Sequence, residues 1–281
     1  MTNHLNAEQI AAYQRDGFVC PIPALSPKEA QSLCCKLEAF EMKFGEPAGT
    51  IIRKKGFLKM MAVYEVVANT AILDAVESVL GPNILCWSTS LFVKDPGDPA
   101  FVAWHQDSFY WGLEPDDVCS AWIALAPSTQ ENGAMQVIPG THKAPQFNHK
   151  ASAPGSANML FTHEEIAVDI DPSQSVDLLL HQGDMSLHHV KLVHGSLPNR
   201  SNSRRYGLAI RYVAPHVRQD DGRATALLVR GEDTYGYFSP DPIPKCDMDA
   251  DVIAFLSQSY APRPLTATRP GDLKVRQRST P

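Results

Sequence analysis

Residues 84–214 carry six short runs: ILCWSTSLFVK (84–94), FVAWHQDSFYW (101–111), CSAWIALA (119–126), AMQVIPG (134–140), DMSLHHVKLVHGS (184–196) and RRYGLAIRYVA (204–214). Each is rich in β-branched and aromatic residues, and turns of Gly, Pro, Asn and Asp separate them. Strands that follow one another with no helix between them predict an antiparallel sandwich or barrel rather than a parallel α/β sheet. Residues 144–183 interrupt the series as a long polar excursion bearing Pro and Gly, suited to a lid or entrance.

Upstream, the pattern is helical. Asn6 or Ala7 opens EQIAAYQRDGF and Gly17 can stop it; Ser26 caps a second helix with Pro27 at its first position. VYEVVANTAILDAVESVL (63–80) has apolar residues at helical spacing and runs into Gly81-Pro82, which predicts a third. The expected architecture is therefore mainly β with flanking helices, one domain over residues 1–262. A proline-rich, basic tail over 263–281 is expected to be ordered only in part.

The 281 residues suffice for a substantial core, and 44% hydrophobic with 20% charged residues excludes a chain disordered throughout. The 25 basic and 31 acidic residues, net −6, are dispersed, which leaves no electrostatic footprint for nucleic acid or an anionic membrane. The N-terminus lacks an apolar signal core and no run is long enough to span a bilayer, so a cytoplasmic location is expected. Six cysteines without paired CxxC spacing read as reduced thiols.

The chemistry concentrates in WHQDSFYW. His105 and Asp107 lie two apart, so on a strand both side chains leave one face and can meet on one ion. A facial iron site needs one more imidazole, and LVHGS supplies His194. An HxD pair alone is weak, since any strand can carry one by chance. Arg205, eleven residues past His194, strengthens it, because a guanidinium is suited to grip a carboxylate in one orientation.

WHQDSFYWGL (104–113), AWIALAPSTQENGAMQVIPGTHK (121–143), GDMSLHHVKLVHGSLPNRSNSRRYGLAIRY (183–212) and the upstream QRDGFVCPIPALSPKEA (14–30) together resemble the phytanoyl-CoA dioxygenase family of Fe(II)/2-oxoglutarate oxygenases. The resemblance implies a double-stranded β-helix (jelly roll, cupin-like), with Fe(II), 2-oxoglutarate and O₂ as cofactor and co-substrates. It implies His105, Asp107 and His194 as iron ligands and Arg205 on the distal carboxylate of 2-oxoglutarate. Ser196 and Trp122 are expected beside that carboxylate, and Gln106 and Thr89 as further co-substrate contacts. Trp111, Lys94, His188 and Arg211 are expected in the substrate pocket. For several the bland alternatives stand: Gln106 alternates away from the pair, His188 equally suits a hydrogen-bonded interior imidazole, and Arg211 suits an internal ion pair.

The implied reaction is hydroxylation of a small molecule with release of succinate and CO₂. Halogenating relatives replace the carboxylate ligand by Ala or Gly, and Asp107 is present, which leaves desaturation and ring closure as the closer alternatives. A catalytically silent metal-binding sensor would show loss of a ligand or of the arginine, and all four residues are intact. The substrate and the oligomeric state are not legible at this level.

Overall fold

The computed structural model describes residues 3–160, 162–219 and 224–259. The tail expected over 263–281 and the last residues of the expected domain lie outside them. Helix α1 (Ala7–Asp16) opens on a reciprocal capping box: Asn6 Oδ1 accepts from Gln9 N–H while Gln9 Oε1 accepts from Asn6 N–H. Strand β1 (Phe18–Pro23) follows, then α2 (Pro27–Phe44), where Ser26 and Glu29 repeat the device. Two short helices, α3 (Ala48–Ile51) and α4 (Gly56–Lys59), lead to α5 (Met61–Val67) and α6 (Thr70–Leu80). The single helix expected over 63–80 is thus two. Asn69 turns extended and its side chain accepts from Ala71 N–H, so it caps α6 where the sequence reading ran straight through.

The β region comprises β2 (Ile84–Lys94), β3 (Val102–His105), the helical turn α7 (Ser108–Trp111), β4 (Leu113–Glu114), β5 (Val118–Ala124) and β6 (Met135–Val137). Within the excursion lie β7 (His149–Ala151), β8 (Glu164–Ile166) and β9 (Val176–Asp177). Then come β10 (Asp184–His189), β11 (His194–Ser196), β12 (Arg205–Val213), β13 (Arg218–Gln219), β14 (Thr225–Arg230), β15 (Ser239–Pro240) and α8 (Ala250–Ser259). A seven-stranded sheet runs β1-β10-β5-β12-β2-β14-β15, and a four-stranded sheet runs β3-β11-β6-β9. Together they form the expected double-stranded β-helix. Two expected strands are corrected. The run 101–111 is a strand only as far as His105, and 184–196 is broken at residues 190–193, its halves belonging to different sheets.

Alternation along β12 separates two compartments. Tyr206, Leu208, Ile210 and Tyr212 join the large core that the helices form against the outside of the seven-stranded sheet. Arg205, Ala209 and Arg211 line a cavity whose wall also includes residues of both sheets. Every residue of β12 is buried, as a strand enclosed on both faces requires. Between the helices and β14–β15, Lys55 Nζ donates to Asp241 Oδ2 at 2.6 Å and to the Thr225 carbonyl at 2.8 Å, with both ionic side chains buried. No helix among the described residues is long and apolar enough to cross a membrane.

Candidate active site

Antiparallel pairing of β3 with β11 sets His105 directly opposite His194, and their ring centroids are 4.0 Å apart. The strand expected to carry both His105 and Asp107 ends at the histidine. Asp107 takes a helical conformation (φ −57°, ψ −36°) at the entry to α7, and this turn brings its Oδ1 to 3.5 Å from His105 Nε2. One ligand atom from each of His105, Asp107 and His194 lies within 4.8 Å of the other two, in the one such cluster found among the described residues.

Both imidazoles are oriented by the backbone. His105 Nδ1 is 2.9 Å from the Ala103 carbonyl and His194 Nδ1 is 2.9 Å from the Leu192 carbonyl. A carbonyl can only accept, so Nδ1 carries the proton and each Nε2 keeps its lone pair for a metal. Burial, with His105 alongside, pushes the His194 imidazole well below its usual range, which favours the neutral ligand form. For Asp107, burial alone would raise the carboxyl. The neighbouring His105, His194 and Arg211 outweigh it and hold the group ionised below the ordinary carboxylate range. Two neutral imidazoles and one carboxylate fit a divalent iron, with positions left for small ligands.

Arg205 occupies the far side of the cavity. It is 2% exposed, its Nη1 donates to the Gly133 carbonyl, its Nε finds no partner, and no carboxylate lies within ion-pair distance of it among the described residues. Burial lowers it to about 10. Its guanidinium lies 5.1 Å from the Trp122 ring, which reaches across β12 only because residue 207 is glycine; a Cβ there would collide with the indole. Trp122 therefore fills the space beside Gly207. Ser196 lines the cavity near Arg205 and accepts from Lys94 Nζ at 2.7 Å.

Three expected placements change. Lys94, opposite Arg205 in the strand register, is wholly buried behind Ser196 rather than in a substrate pocket, and burial together with Arg205 lowers it to about 7. Thr89 points away from the cavity; its hydroxyl accepts from Gly56 N–H, so it ties β2 to α4 and is not a co-substrate contact. Gln106 is likewise committed elsewhere. Its amide donates to the Lys191 carbonyl and accepts from Gln146 Nε2 and Phe147 N–H, fastening the excursion to the metal strand. Arg211 lines the cavity, and among the described residues no acid lies within ion-pair distance of it.

Trp111 does line the cavity, though from the helical turn, with its ring 5.2 Å from that of Trp87. His188 reaches it too, 4.9 Å from the His194 ring. The two histidines sit in different sheets, so alternation along one strand does not relate them. His149 stacks on Phe109, with ring centroids 4.0 Å apart. Ser120 and Tyr110 also line the cavity and were missed. Ser120 was discoverable, because on a strand it shares a face with Trp122; Tyr110 was not, because its placement depends on the turn after His105.

The cavity has a volume of about 1030 Å³ and joins the His–Asp–His cluster to Arg205 and Arg211. A family model, phytanoyl-CoA dioxygenase (PhyH), matches residues 13–207. A probable alpha-ketoglutarate-dependent hypophosphite dioxygenase of Stutzerimonas stutzeri is 32% identical over 176 residues, covering 62% of this chain and 61% of that protein, less than two thirds of its length. The peroxisomal phytanoyl-CoA dioxygenase of Rattus norvegicus is 27% identical over 235 residues, 75% of this chain and 69% of its own. Among solved structures, the non-heme monooxygenase ThoJ in its apo form matches with a TM-score of 0.79 and 35% identity, covering 89% of this chain and 94% of its own. With a match that spans well over half the sequence, and a jelly roll that agrees with it, this chain belongs to the phytanoyl-CoA dioxygenase (PhyH) family.

Proposed function

We propose that the protein is an iron(II)- and 2-oxoglutarate-dependent dioxygenase that hydroxylates an unactivated C–H bond of a small-molecule metabolite, with release of succinate and CO₂. The observation that carries this reading is the pairing, in one cavity, of a buried His–Asp–His cluster with a buried guanidinium that has no carboxylate of its own. His105, Asp107 and His194 would hold the metal through two Nε2 atoms and one carboxylate oxygen. Iron, when bound, supplies the activation of O₂ coupled to oxidative decarboxylation of the 2-oxoacid. Arg205 would hold the distal carboxylate, with Ser196 accepting from Lys94 and free to donate its own proton to the ligand. Trp122 walls that end and keeps water from the ion pair. The backbone-held imidazoles cannot swing, so the protein's share of the work is to fix positions around the metal and to orient a C–H bond toward it. The dioxygenase names of the Stutzerimonas and rat relatives support the reaction class.

Anaerobic titration of 2-oxoglutarate into the iron-loaded protein tests the assignment. Arg205→Ala should weaken 2-oxoglutarate binding by about thirtyfold or more, since truncating one partner of a buried charge pair costs about 2–5 kcal/mol. Iron(II) affinity should change little. Unchanged 2-oxoglutarate binding in that variant would put the co-substrate elsewhere. Incubation of the active protein with a metabolite extract, followed by a mass search for products 16 Da heavier that require 2-oxoglutarate, then identifies the substrate.

A further inference from the structure

Four side chains form a row across the seven-stranded sheet: His188 pairs with Ser120, Ser120 with Arg211, and Arg211 with Ser88. Neighbours in register leave the same face of a sheet, and all four line the cavity. Three of them are more than nine-tenths buried, with exposures of 3% for His188, 1% for Ser120 and 8% for Arg211. Each of these three also carries a buried polar atom without a hydrogen-bond partner: His188 Nδ1, Ser120 Oγ and Arg211 Nε. Unsatisfied buried polar groups are uncommon and costly, and three side by side facing one cavity mark a place built for a ligand.

Arg211 sets the charge of that ligand. Among the described residues its one hydrogen bond is a long one, 3.4 Å from Nη1 to the Ala209 carbonyl of its own strand. The guanidinium lies between aromatic rings, 5.4 Å from Trp111 and 5.9 Å from Phe92, which confine it without neutralising it. Among the described residues lining the cavity, Asp107 is the one carboxylate, and the buried cations are Arg205 and Arg211. Asp107 is spoken for by the metal cluster, and Arg205 stands six residues away along β12, roughly 20 Å at the usual strand rise. Arg211 thus feels Asp107 at a distance but has no carboxylate in contact, and a buried cation so placed is expensive unless a ligand brings the missing charge.

We propose that the substrate carries an oxyanion, a carboxylate or a phosphonate, and that Arg211, flanked by Ser120 and His188, receives it. This identification of the occupant as substrate rests on the function proposed above. Arg211 would give two N–H donors, Ser120 its hydroxyl and His188 one ring N–H, so the group is held beside the metal cluster while the rest of the molecule extends toward Trp111. Specificity would then come from the anion as much as from shape.

The test uses the full-length protein with Fe(II) and 2-oxoglutarate, both saturating and without O₂, so that the Arg205 end is already occupied. Butyrate, methylphosphonate and the uncharged butyramide are titrated by calorimetry into wild type, Arg211→Met and Arg211→Lys. Wild type should bind at least one of the two anions and not the amide, and the stronger of the two names the oxyanion. Arg211→Met should lose about thirtyfold or more in affinity for that anion, and Arg211→Lys should recover part of the loss. Affinity for 2-oxoglutarate should stay unchanged in both variants, and matched melting curves establish that they are folded. Binding of neither anion to wild type, equal binding of the amide, or a loss of 2-oxoglutarate affinity in Arg211→Met matching the anion's would each overturn the proposal, the last by assigning Arg211 to the co-substrate. Succinate formation by the wild type, followed in parallel with O₂, separates the two claims. Succinate without anion binding sinks the oxyanion site alone, whereas Arg211-dependent anion binding without succinate supports the site and sinks the dioxygenase reading.

Discussion

His189 shows at the scale of one residue how burial turns into pH dependence. Its Nδ1 accepts from the Lys191 backbone N–H at 3.1 Å, and burial lowers the imidazole to about 4. His188 is lowered to about 4 as well, again chiefly by burial. In the unfolded chain both titrate near 6.5, so between pH 6.5 and 4 the unfolded state binds protons that the fold refuses. Their contribution is complete above about pH 6.5 and is lost as pH falls toward 4, at about 1.4 kcal/mol per pH unit for each fully shifted proton. Urea unfolding of the metal-free protein should therefore weaken across that window, and His189→Gln should flatten the slope by up to one proton; an unchanged slope would contradict the assignment. The sequence revealed other residues unevenly. His105, Asp107, His194 and Arg205 were legible from type and spacing, although Asp107 arrives by a turn that no alternation rule contains. Thr89 and Lys94 were assigned together to the site, yet they stand five apart on one strand and so face opposite ways. Alternation along β2, applied from Lys94, rejects Thr89.

Among the elements, helix ends were the most legible feature and the short helices the least. Asn6–Gln9 and Ser26–Glu29 announce their capping boxes, and Gly17 and Gly45 close the helices in the left-handed conformation. Residues 45–60 offer neither caps nor a long apolar period, so α3 and α4 went unread, and the cap at Asn69 was hidden inside a continuous helical pattern. They are held by tertiary contacts that spacing cannot display, among them the buried Lys55–Asp241 pair at the start of α4. Burial pushes Lys55 down and Asp241 up, and their mutual attraction offsets part of this. Lys55→Met should cost about 3–5 kcal/mol by stranding the carboxylate, while Lys55→Met combined with Asp241→Leu should restore most of it. Denaturant midpoints for the two variants decide this, and a single variant as stable as wild type would show the pair to be dispensable.

For the whole molecule, the two sheets divide the labour. The seven-stranded sheet packs its outer face on helices and turns the other to the cavity, while the four-stranded sheet contributes two metal-site histidines on adjacent strands. Repeated short strands without intervening helices made this architecture legible; the passage from β10 to β11 between sheets was not, because VKLV (190–193) is as β-prone as the strands it joins. The excursion is also more ordered than its composition suggests, since Gln106 pins it at Gln146 and Phe147 and β9 extends the small sheet. The jelly-roll core does not depend on the Asp107 carboxylate, so the molecule should fold without it while losing its one anionic metal ligand. The decisive measurement is succinate formation from 2-oxoglutarate with Fe(II), ascorbate and O₂, run on wild type and on an Asp107→Ala variant of matched melting behaviour. Succinate from wild type and none from the variant is the predicted result. No succinate from wild type, or wild-type rates from the variant, would contradict the account.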